Sequence, residues 1–298
     1  MPHAHHGHGD HHSHCQLDPD HLVNAAQDDA GWYEAVTRQL LAAGRRPRLV
    51  ADIGCGGAGM ALAMATALPD DATVVALDVS EDLLASARRH VVTRLPARHS
   101  RLTFAEGSVE DSVDELLSAI GGAPDLVWAA AMVHHLGDQQ GTVDKLAELV
   151  APGGRLAIYE SGLTPRHLPY ELEIGAPGLE ARLEAAQAPF YTKVRSDTPG
   201  SKPLPYGWTE VLHRAGLALV DTVSLLIEHR APLPADRRKR VLAWLATRVG
   251  NARQVAALTP EDDAVWTRLL DPHDRYWLGH REDMYRLEAR TVHVGTRP

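Results

Sequence analysis

Short apolar runs that alternate with helical stretches dominate the middle of the chain. Five runs of strand length occur there, at 49–53, 73–78, 102–104, 126–129 and 155–159. The stretches between them carry apolar residues three or four positions apart, which is the spacing of an amphipathic helix. Strands and helices in this order form βαβ units with parallel strand pairing. The pattern therefore predicts an α/β protein built on a doubly wound, mostly parallel sheet.

The pattern changes on both sides of this core. Before it, helical periodicity predicts one helix over residues 18 to about 43. After Glu160 proline becomes frequent, and residues 161–206 contain one helical segment, at 179–188. The remaining predicted elements are helices at 208–215, 236–249 and 260–270, an apolar run at 217–227 and a last strand at 291–294. With the last run and strand added, we expect seven strands.

These elements divide the 298 residues into five segments. The chain runs past the usual size of one domain, and its 44% hydrophobic content is enough to bury a sizeable core. The predicted segments are a disordered His-rich tail (1–16), a helical N-terminal cover (17–47), the α/β core (48–160), an inserted helical cap or substrate region (161–206), and the C-terminal part of the sheet with added helices (207–298).

Charge and cysteine content exclude several classes of function. Thirty Lys and Arg against 39 Asp and Glu give a formal net charge of −9, which argues against a partner made of nucleic acid. No run of 18 apolar residues occurs in the sequence, so no membrane span is expected. Two cysteines, Cys15 and Cys55, cannot build a disulfide framework. Since the sequence also begins without a secretion signal pattern, we expect a cytoplasmic protein.

Histidine is concentrated at the start of the chain. Seven of the 18 histidines fall within the first 14 residues, interrupted by Ala, Gly, Asp and Ser. Imidazoles together with Cys15 could bind Zn²⁺, Ni²⁺ or Cu²⁺, but the spacing is not that of a defined structural zinc site. We therefore predict no specific metal site and interpret metal uptake by residues 1–16 as adventitious.

The first apolar run ends in a glycine-rich turn. Gly54, Gly56 and Gly59 satisfy the G-x-G-x-x-G spacing, in which glycines let a ligand approach the backbone at the start of a helix. The second run ends in Asp78, where an acidic side chain would hold ribose hydroxyls. Together these features predict an adenosine-type cofactor. Asp52 would repel a pyrophosphate but could position an ammonium group, so both NAD and S-adenosylmethionine stay open.

Five segments, in order and at matching spacing, resemble the class I S-adenosylmethionine-dependent methyltransferases. The resemblance covers about residues 48–160. Its segments are Val50-Ala51-Asp52-Ile53-Gly54-Cys55-Gly56, Leu77-Asp78-Val79-Ser80, Glu106-Gly107-Ser108-Val109-Glu110, Asp125-Leu126-Val127-Trp128 with His134-His135-Leu136, and Leu149-Val150-Ala151-Pro152-Gly153-Gly154-Arg155. With its His-rich start, the chain looks like an actinobacterial-type group of small-molecule methyltransferases.

The resemblance implies a Rossmann-like sheet of seven strands and S-adenosylmethionine as the cofactor. It places the methionine part near Asp52, Gly54 and Gly56, and the ribose hydroxyls on Asp78. The other residues that it implies at the cofactor are Cys55, Val79, Gly107, Ser108, Val109, Ala129 and Ala130. Two departures stand out: the family's usual third glycine falls at Ala58, and Ser108 replaces the usual Asp beside the adenine, where a hydroxyl bonds more weakly than a carboxylate.

Residues that could act on the methyl acceptor follow the fourth and fifth strands. His134 and His135 come after the fourth strand, and an imidazole there could serve as a general base or merely pack the turn. Further acceptor-site candidates, by position alone, are Trp32, Tyr33, Tyr159, Glu160, His167 and Tyr170. For the aromatic pair on the N-terminal helix, core packing is the alternative.

We therefore predict a methyltransferase that moves a methyl group to an O, N or C nucleophile of a small molecule, with natural products and peptides as candidate acceptors. Orientation of donor and acceptor alone can supply much of the acceleration, so a missing catalytic dyad does not oppose this function. The alternatives are an NAD-dependent oxidoreductase and a non-catalytic metal-handling protein that uses the His-rich head. No nucleic-acid or membrane partner is expected, and a homodimer stays open.

Overall fold

The computed structural model describes residues 19–94 and 101–298, an α/β protein that confirms the predicted fold class. Within these residues the strands are β1 (Leu49–Ile53), β2 (Thr73–Asp78), β3 (Leu102–Glu106), β4 (Leu126–Ala130), β5 (Arg155–Arg166), β6 (Ala218–His229) and β7 (Arg286–Thr296). The helices are α1 (Pro19–Asp28), α2 (Ala30–Ala42), α3 (Gly59–Ala67), α4 (Glu81–Arg94), α5 (Val113–Ile120), α6 (Gln139–Leu149), α7 (Leu179–Ala186), α8 (Ala188–Asp197), α9 (Trp208–Arg214), α10 (Ala235–Gln254) and α11 (Pro260–Leu270). The His-rich segment 1–16 and its predicted metal chemistry lie outside the described residues.

The seven strands have the order β3-β2-β1-β4-β5-β7-β6. β1, β2 and β3 pair in parallel, as the alternation of strands and helices predicts. β7 runs antiparallel to both of its neighbours, β5 and β6. By contacts the described chain divides into two compact units. Unit 1 runs to Trp128 and adds Leu149–Gly154, and unit 2 comprises Ala129–Glu148 and Arg155–Pro298.

The parallel strands of unit 1 bring their carboxyl ends to one edge. Asp52 of β1 is in register with Ala76 of β2, and Asp78 at the end of β2 is in register with Glu106 of β3. The strands are apolar because they are buried on both faces, and Val50, Ala51 and Ile53 have no exposed surface. Ligands of open α/β sheets bind beyond these carboxyl ends, so the edge is the place to look for a site.

The single helix predicted over residues 18–43 is wrong in one respect, because the structure has two helices there. α1 ends at Asp28 and α2 begins at Ala30, with Asp29 between them at φ −93° and ψ 9°. The carbonyl of Asp29 accepts hydrogen bonds from the backbone N–H groups of Trp32 and Tyr33. Aspartate is a weak helix former that favours helix ends, so the break falls at a residue suited to it.

Unit 2 has a helical core of its own. Its buried cluster draws on the segment after β5, on α7 and on the two helices between β6 and β7. The largest of its members are Leu183, Leu245, Trp266, Leu278 and Met284, all with no exposed surface. The structure adds α8, which was not predicted beyond residue 188, and Pro189 in its first turn is compatible with a helix start.

The strands of unit 2 are longer than the sequence predicts. β5 extends to Arg166, beyond the predicted end at 159, and β7 begins at Arg286, before the predicted start at 291. Antiparallel pairing continues through an irregularity after Tyr159, where a Cβ on Gly162 would come within 2.0 Å of the carbonyl oxygen of Ala289. None of the described helices has the length and the apolar content that crossing a membrane requires.

Packing at Gly57 in unit 1 yields a test of this fold. A Cβ at this position would lie 2.5 Å from the carbonyl oxygen of Leu22, which is a backbone atom that cannot swing aside. We expect Gly57→Ala to lower the free energy of unfolding by about 1–3 kcal/mol, as overpacking does. Chemical denaturation of both proteins measures the difference.

Gly31 is the matched control, because a Cβ there meets nothing within 4 Å and the residue lies in the exposed part of α2. Replacing a helical glycine by alanine stabilises a helix by up to about 1 kcal/mol. Gly31→Ala should therefore shift stability in the opposite direction. Equal effects of the two substitutions would contradict the packing of α1 against the glycine turn.

Candidate active site

The turn after β1 is held by hydrogen bonds to the end of β2. Gly54 and Gly56 have φ values of +68° and +52°, in the left-handed region that glycine adopts without strain. The backbone N–H groups of Gly54 and Cys55 both donate to the carbonyl oxygen of Leu77, at 2.8 and 3.0 Å. The turn is thereby fixed at the edge where the parallel strands of unit 1 end.

The alanine that replaces the family's third glycine has the backbone conformation of a glycine. Ala58 is fully buried and has φ +56°, a conformation that is strained for a residue with a Cβ. The flanking residues, Gly57 and Gly59, are required to be glycine because there is no space for a Cβ at either position. A Cβ on Gly59 would lie 2.3 Å from the ring of Tyr33, and Gly57 faces the Leu22 carbonyl. The departure at Ala58 therefore leaves the turn able to enter α3 in the left-handed conformation.

Asp78 joins the glycine turn to β2 through its side chain. Oδ2 accepts a hydrogen bond from the Gly56 N–H at 3.0 Å, and Oδ1 accepts one from the Ser80 N–H at 3.1 Å. The residue is 9% exposed. A carboxylate oxygen can accept more than one hydrogen bond, so each oxygen of Asp78 can still accept a hydroxyl. Val79, the next residue, is exposed.

Asp52 lies beneath the turn and is almost fully buried. Its Oδ2 accepts a hydrogen bond from the Ala61 N–H at 3.0 Å, in the first turn of α3. Burial, with a further contribution from the charge of Asp78, raises the pKa of Asp52 from 3.8 to about 7. Burial and the same two carboxyl groups raise the pKa of the Cys55 thiol, which makes Cys55 a poor nucleophile.

The turn after β3 reaches the same edge of unit 1. The Gly107 N–H donates to the carbonyl oxygen of Asp78 at 3.1 Å. Ser108 donates its N–H to Oδ2 of Asp111 at 2.8 Å, and its Oγ accepts from the Glu110 N–H at 3.1 Å. Asp111 was not predicted, although a carboxyl group three residues after a serine is a common way to close such a turn. It supplies a carboxylate beside the position where the family's usual Asp is replaced by Ser108.

A second buried carboxylate holds the turn that follows β4 in unit 2. The Glu160 side chain has no exposed surface. Its Oε1 accepts from the backbone N–H groups of Met132 and Val133 at 3.0 and 2.7 Å, and its Oε2 lies 2.6 Å from Nδ1 of His134. An ionised carboxylate only accepts, so with Glu160 ionised Nδ1 donates this hydrogen bond, and in the neutral imidazole the lone pair is then on Nε2.

His134 has the properties of an oriented general base. Its side chain is 46% exposed, while Nδ1 is anchored by Glu160. A carboxylate that holds the opposite ring nitrogen fixes the tautomer and stabilises the imidazolium ion, as in hydrolase triads. The ring of His135 lies 3.9 Å from that of His134. Desolvation and then the proximity of His134 lower the pKa of His135, which favours its neutral form.

The turn from Met132 to Asp138 is also anchored from its other side. Arg195 of α8 donates to the carbonyl oxygens of Leu136 and Gly137, at 2.7 and 3.2 Å. A Cβ on Gly137 would lie 2.2 Å from the carbonyl oxygen of Pro199, so this contact requires glycine. Sequence reasoning missed Arg195, because an arginine that binds backbone carbonyls leaves no motif.

The remaining predicted residues of unit 1 lie on α2. Trp32 is buried, with its ring centroid 4.9 Å from Tyr33 and 6.0 Å from Trp128 of β4. The ring of Tyr33 lies against Gly59 at the start of α3. The two rings thus pack α2 onto the helix that follows the glycine turn, which is the packing alternative considered above.

The remaining predicted residues of unit 2 are spread over different surroundings. Ala130 ends β4, and the N–H of the next residue donates to the carbonyl oxygen of Tyr159 at 2.7 Å. Tyr170 is exposed. His167 is buried, where its Nδ1 lies 2.9 Å from Oε1 of Glu180. No group of three or more metal-ligating side chains occurs within residues 19–94 and 101–298.

The raised pKa of Asp52 predicts a pH-dependent cost to stability. Below pH 4 the Asp52 carboxyl group is protonated in both the folded and the unfolded chain. Between pH 4 and about 7 only the folded chain keeps this proton, so the free energy of unfolding falls as pH rises. Above about pH 7 the group is ionised in both states and the loss levels off. The interval from 3.8 to about 7 corresponds to at most about 4 kcal/mol. Asp52→Asn should remove this cost. Denaturation at pH 4 and pH 8 should find the variant equal to the parent at the lower pH and more stable at the higher.

Part of this chain is similar in sequence to known methyltransferases. Residues 51–156 match a family model described as a methyltransferase domain. A trans-aconitate 2-methyltransferase of Methylobacterium radiotolerans is 34% identical over 148 residues, which cover 46% of this chain and 51% of that protein. A ubiquinone biosynthesis O-methyltransferase of Vibrio parahaemolyticus is 33% identical over 107 residues, covering 36% of this chain and 41% of that protein.

A solved structure of an O-methyltransferase family protein from Burkholderia thailandensis is 18% identical, with a TM-score of 0.49, and the match covers 94% of this chain and 58% of that one. The chain spans about half the length of the curated relatives that it matches. The matched region contains most of β1 and all of β2 to β4, with Asp52, Asp78 and His134. Residues 51–156 therefore form a region that is similar to known methyltransferase domains.

Proposed function

We propose that the chain binds S-adenosylmethionine at the glycine turn of unit 1 and transfers its methyl group to a small-molecule acceptor. The observation that carries the proposal is the Asp78 carboxylate, which holds the Gly56 N–H and keeps acceptor capacity on both oxygens. Paired acceptors at the end of the second strand suit the two hydroxyls of a ribose. This carboxylate lies in a region that matches the methyltransferase-domain family.

The residues of unit 1 favour a sulfonium cofactor over a dinucleotide. The glycine spacing would also suit a pyrophosphate, but no residue from 54 to 59 is basic and two carboxyl groups, Asp52 and Asp78, adjoin the turn. A pyrophosphate would meet repulsion from these groups, whereas the ammonium and sulfonium charges of S-adenosylmethionine would be attracted. An ammonium beside Asp52 would also favour its ionised form and offset the cost of its burial.

The proposed binding residues follow the order of the cofactor's parts. The methionine part would lie by Asp52, Gly54, Cys55 and Gly56, and the ribose on Asp78 and Val79. The turn with Gly107, Ser108 and Val109 would receive the adenine, and the backbone of Ala129 and Ala130 would face the sulfur end. On that turn the Ser108 hydroxyl accepts the Glu110 N–H and the Asp111 carboxylate accepts the Ser108 N–H.

On the acceptor side we propose that His134 is the general base. Bound S-adenosylmethionine supplies an electrophilic methyl group. Nε2 of His134 would take the proton of an acceptor hydroxyl, and Glu160 would stabilise the resulting imidazolium through Nδ1. The arrangement favours a hydroxyl acceptor, whose proton must be removed, over a carboxylate acceptor, which needs no base. Glu160, predicted as an acceptor residue, would act on the reaction through His134.

Its relatives support an acceptor of small size. The curated relatives are named for trans-aconitate and for ubiquinone biosynthesis, and both names refer to small molecules. We extend only this size class to the present chain. The predicted peptide acceptor and the homodimer are kept as proposals to be tested by acceptor screening and by the mass of the protein in solution.

Calorimetry with Asp78→Asn tests the cofactor assignment. The parent should bind S-adenosylmethionine, and the variant should bind it about ten- to a hundredfold more weakly, because hydrogen bonds to a charged group are lost. Asp82→Asn, an exposed residue in the first turn of α4, is the control and should bind like the parent. Binding of NADH without binding of S-adenosylmethionine would replace the proposal with an oxidoreductase.

Turnover measurements test the acceptor side. With a hydroxyl acceptor that supports release of S-adenosylhomocysteine, His134→Asn should lower kcat by about 10²–10⁴-fold, the range for a general base. Glu160→Gln should also lower kcat, because its oxygen must accept the Met132 and Val133 N–H groups and its NH₂ then donates to Nδ1 of His134, which moves the imidazole proton to Nε2. Neither variant should raise KM for the cofactor. His213→Asn, an exposed histidine on α9, is the control. Full kcat in His134→Asn would show that transfer relies on orientation alone.

A further inference from the structure

A cavity in unit 2 lies outside every site considered so far. Its volume is about 420 Å³, within the range of small-molecule sites. One wall is a face of α10, where Trp244, Thr247, Arg248 and Asn251 follow one another at helical spacing. Glu184 of α7 and Tyr191 of α8 contribute to the opposite wall.

Arg248 is the most unusual residue of this cavity. The residue is 6% exposed, and within the described part of the chain its Nε and Nη1 atoms have no hydrogen-bond partner. Its guanidinium lies over the ring of Trp244, 4.4 Å from the ring centre. A buried cation is costly unless it is hydrogen-bonded, and ring contact alone leaves its N–H groups unused. Arg248 thus lines the cavity with hydrogen-bonding capacity at Nε and Nη1 that no described residue uses.

Two arginines and two glutamates supply the charge around the cavity. Glu184 is the carboxylate among its described lining residues, and it is paired with Arg166 of β5. Arg166 itself has a buried Nη1 without a partner in the described chain. Glu180, the nearest other carboxylate of α7, is already bonded to the N–H groups of His167 and Leu168. The two carboxylates balance the two guanidinium groups in charge, but neither satisfies Nε and Nη1 of Arg248, which have no hydrogen-bond partner among the described residues.

We propose that this cavity binds a small organic carboxylate. The Arg248 guanidinium would bond the carboxylate group, Trp244 and Tyr191 would pack against the organic part, and Thr247 and Asn251 would offer further hydrogen bonds. An arginine over an aromatic ring suits a planar oxyanion. The volume exceeds that of a bare inorganic ion, and the aromatic side chains favour a ligand with an apolar part. The proposal does not depend on methyl transfer.

Benzoate is the probe, since it combines a carboxylate with an aromatic ring, and benzamide is its neutral counterpart. Titration calorimetry with the full chain should show saturable binding of benzoate and none of benzamide. Arg248→Met should weaken benzoate binding by at least about tenfold, as expected when a charged hydrogen-bond donor is lost. Lys239→Met, which removes an exposed charge from the same helix, should leave binding unchanged.

Thermal unfolding without ligand separates binding from a structural role. Because Arg248→Met removes a buried charge whose Nε and Nη1 lack hydrogen-bond partners, its melting temperature should equal or exceed that of the parent. If this variant is unstable, Arg248→Lys, which keeps the charge but not the planar donors, should still weaken benzoate binding. No benzoate binding by the parent, equal binding by Arg248→Met, or binding of sulfate as tight as that of benzoate would each overturn the proposal.

Discussion

The end of β2 organises the edge of unit 1 on which a cofactor site depends. The Leu77 carbonyl accepts the N–H groups of Gly54 and Cys55, the Asp78 carboxylate accepts that of Gly56, and the Asp78 carbonyl accepts that of Gly107. Two residues therefore fix the turns after both β1 and β3. The Asp78 carboxylate, which accepts the Gly56 N–H, retains capacity for ligand hydroxyls, so the turn and ligand binding rely on one group. Loss of Asp78 would loosen the turn as well as remove a ligand contact.

A buried carboxylate performs a similar task in unit 2. Glu160 on β5 accepts the backbone N–H groups of the turn after β4, as Asp78 on β2 accepts that of the turn after β1. The two differ in exposure, because Glu160 has no exposed side-chain surface and Asp78 has some. Asp78 can therefore contact a ligand directly, whereas Glu160 acts by orienting His134. Asp52 is a third buried carboxyl group. Its burial raises its pKa, so ionising Asp52 costs more free energy in the folded chain than in the unfolded one.

The periodic features of this chain were predictable from sequence, and the contacts between distant residues were not. Buried parallel strands are apolar runs, so β1 to β4 were located closely, and the spacing of Gly54, Gly56 and Asp78 led to a cofactor of the adenosine type. The break at Asp29 and the helix beyond Pro189 depend on local choices that periodicity does not resolve. The partners of His134 and the buried, unpartnered donors of Arg248 arise from tertiary packing, so no sequence motif predicts them. Its position after the fifth strand predicts Glu160 as an acceptor-site residue, whereas its hydrogen bonds indicate that it orients His134.

The central claim is that the edge formed by the glycine turn and Asp78 receives the nucleoside of S-adenosylmethionine. A crystal structure of the chain with S-adenosylhomocysteine tests it most directly, because the product shares the nucleoside and lacks only the methyl group. The account predicts both ribose hydroxyls within hydrogen-bond distance of the Asp78 carboxylate oxygens, with the Gly56 contact retained. A nucleoside bound away from this edge, or one at the edge whose ribose does not contact Asp78, would contradict it.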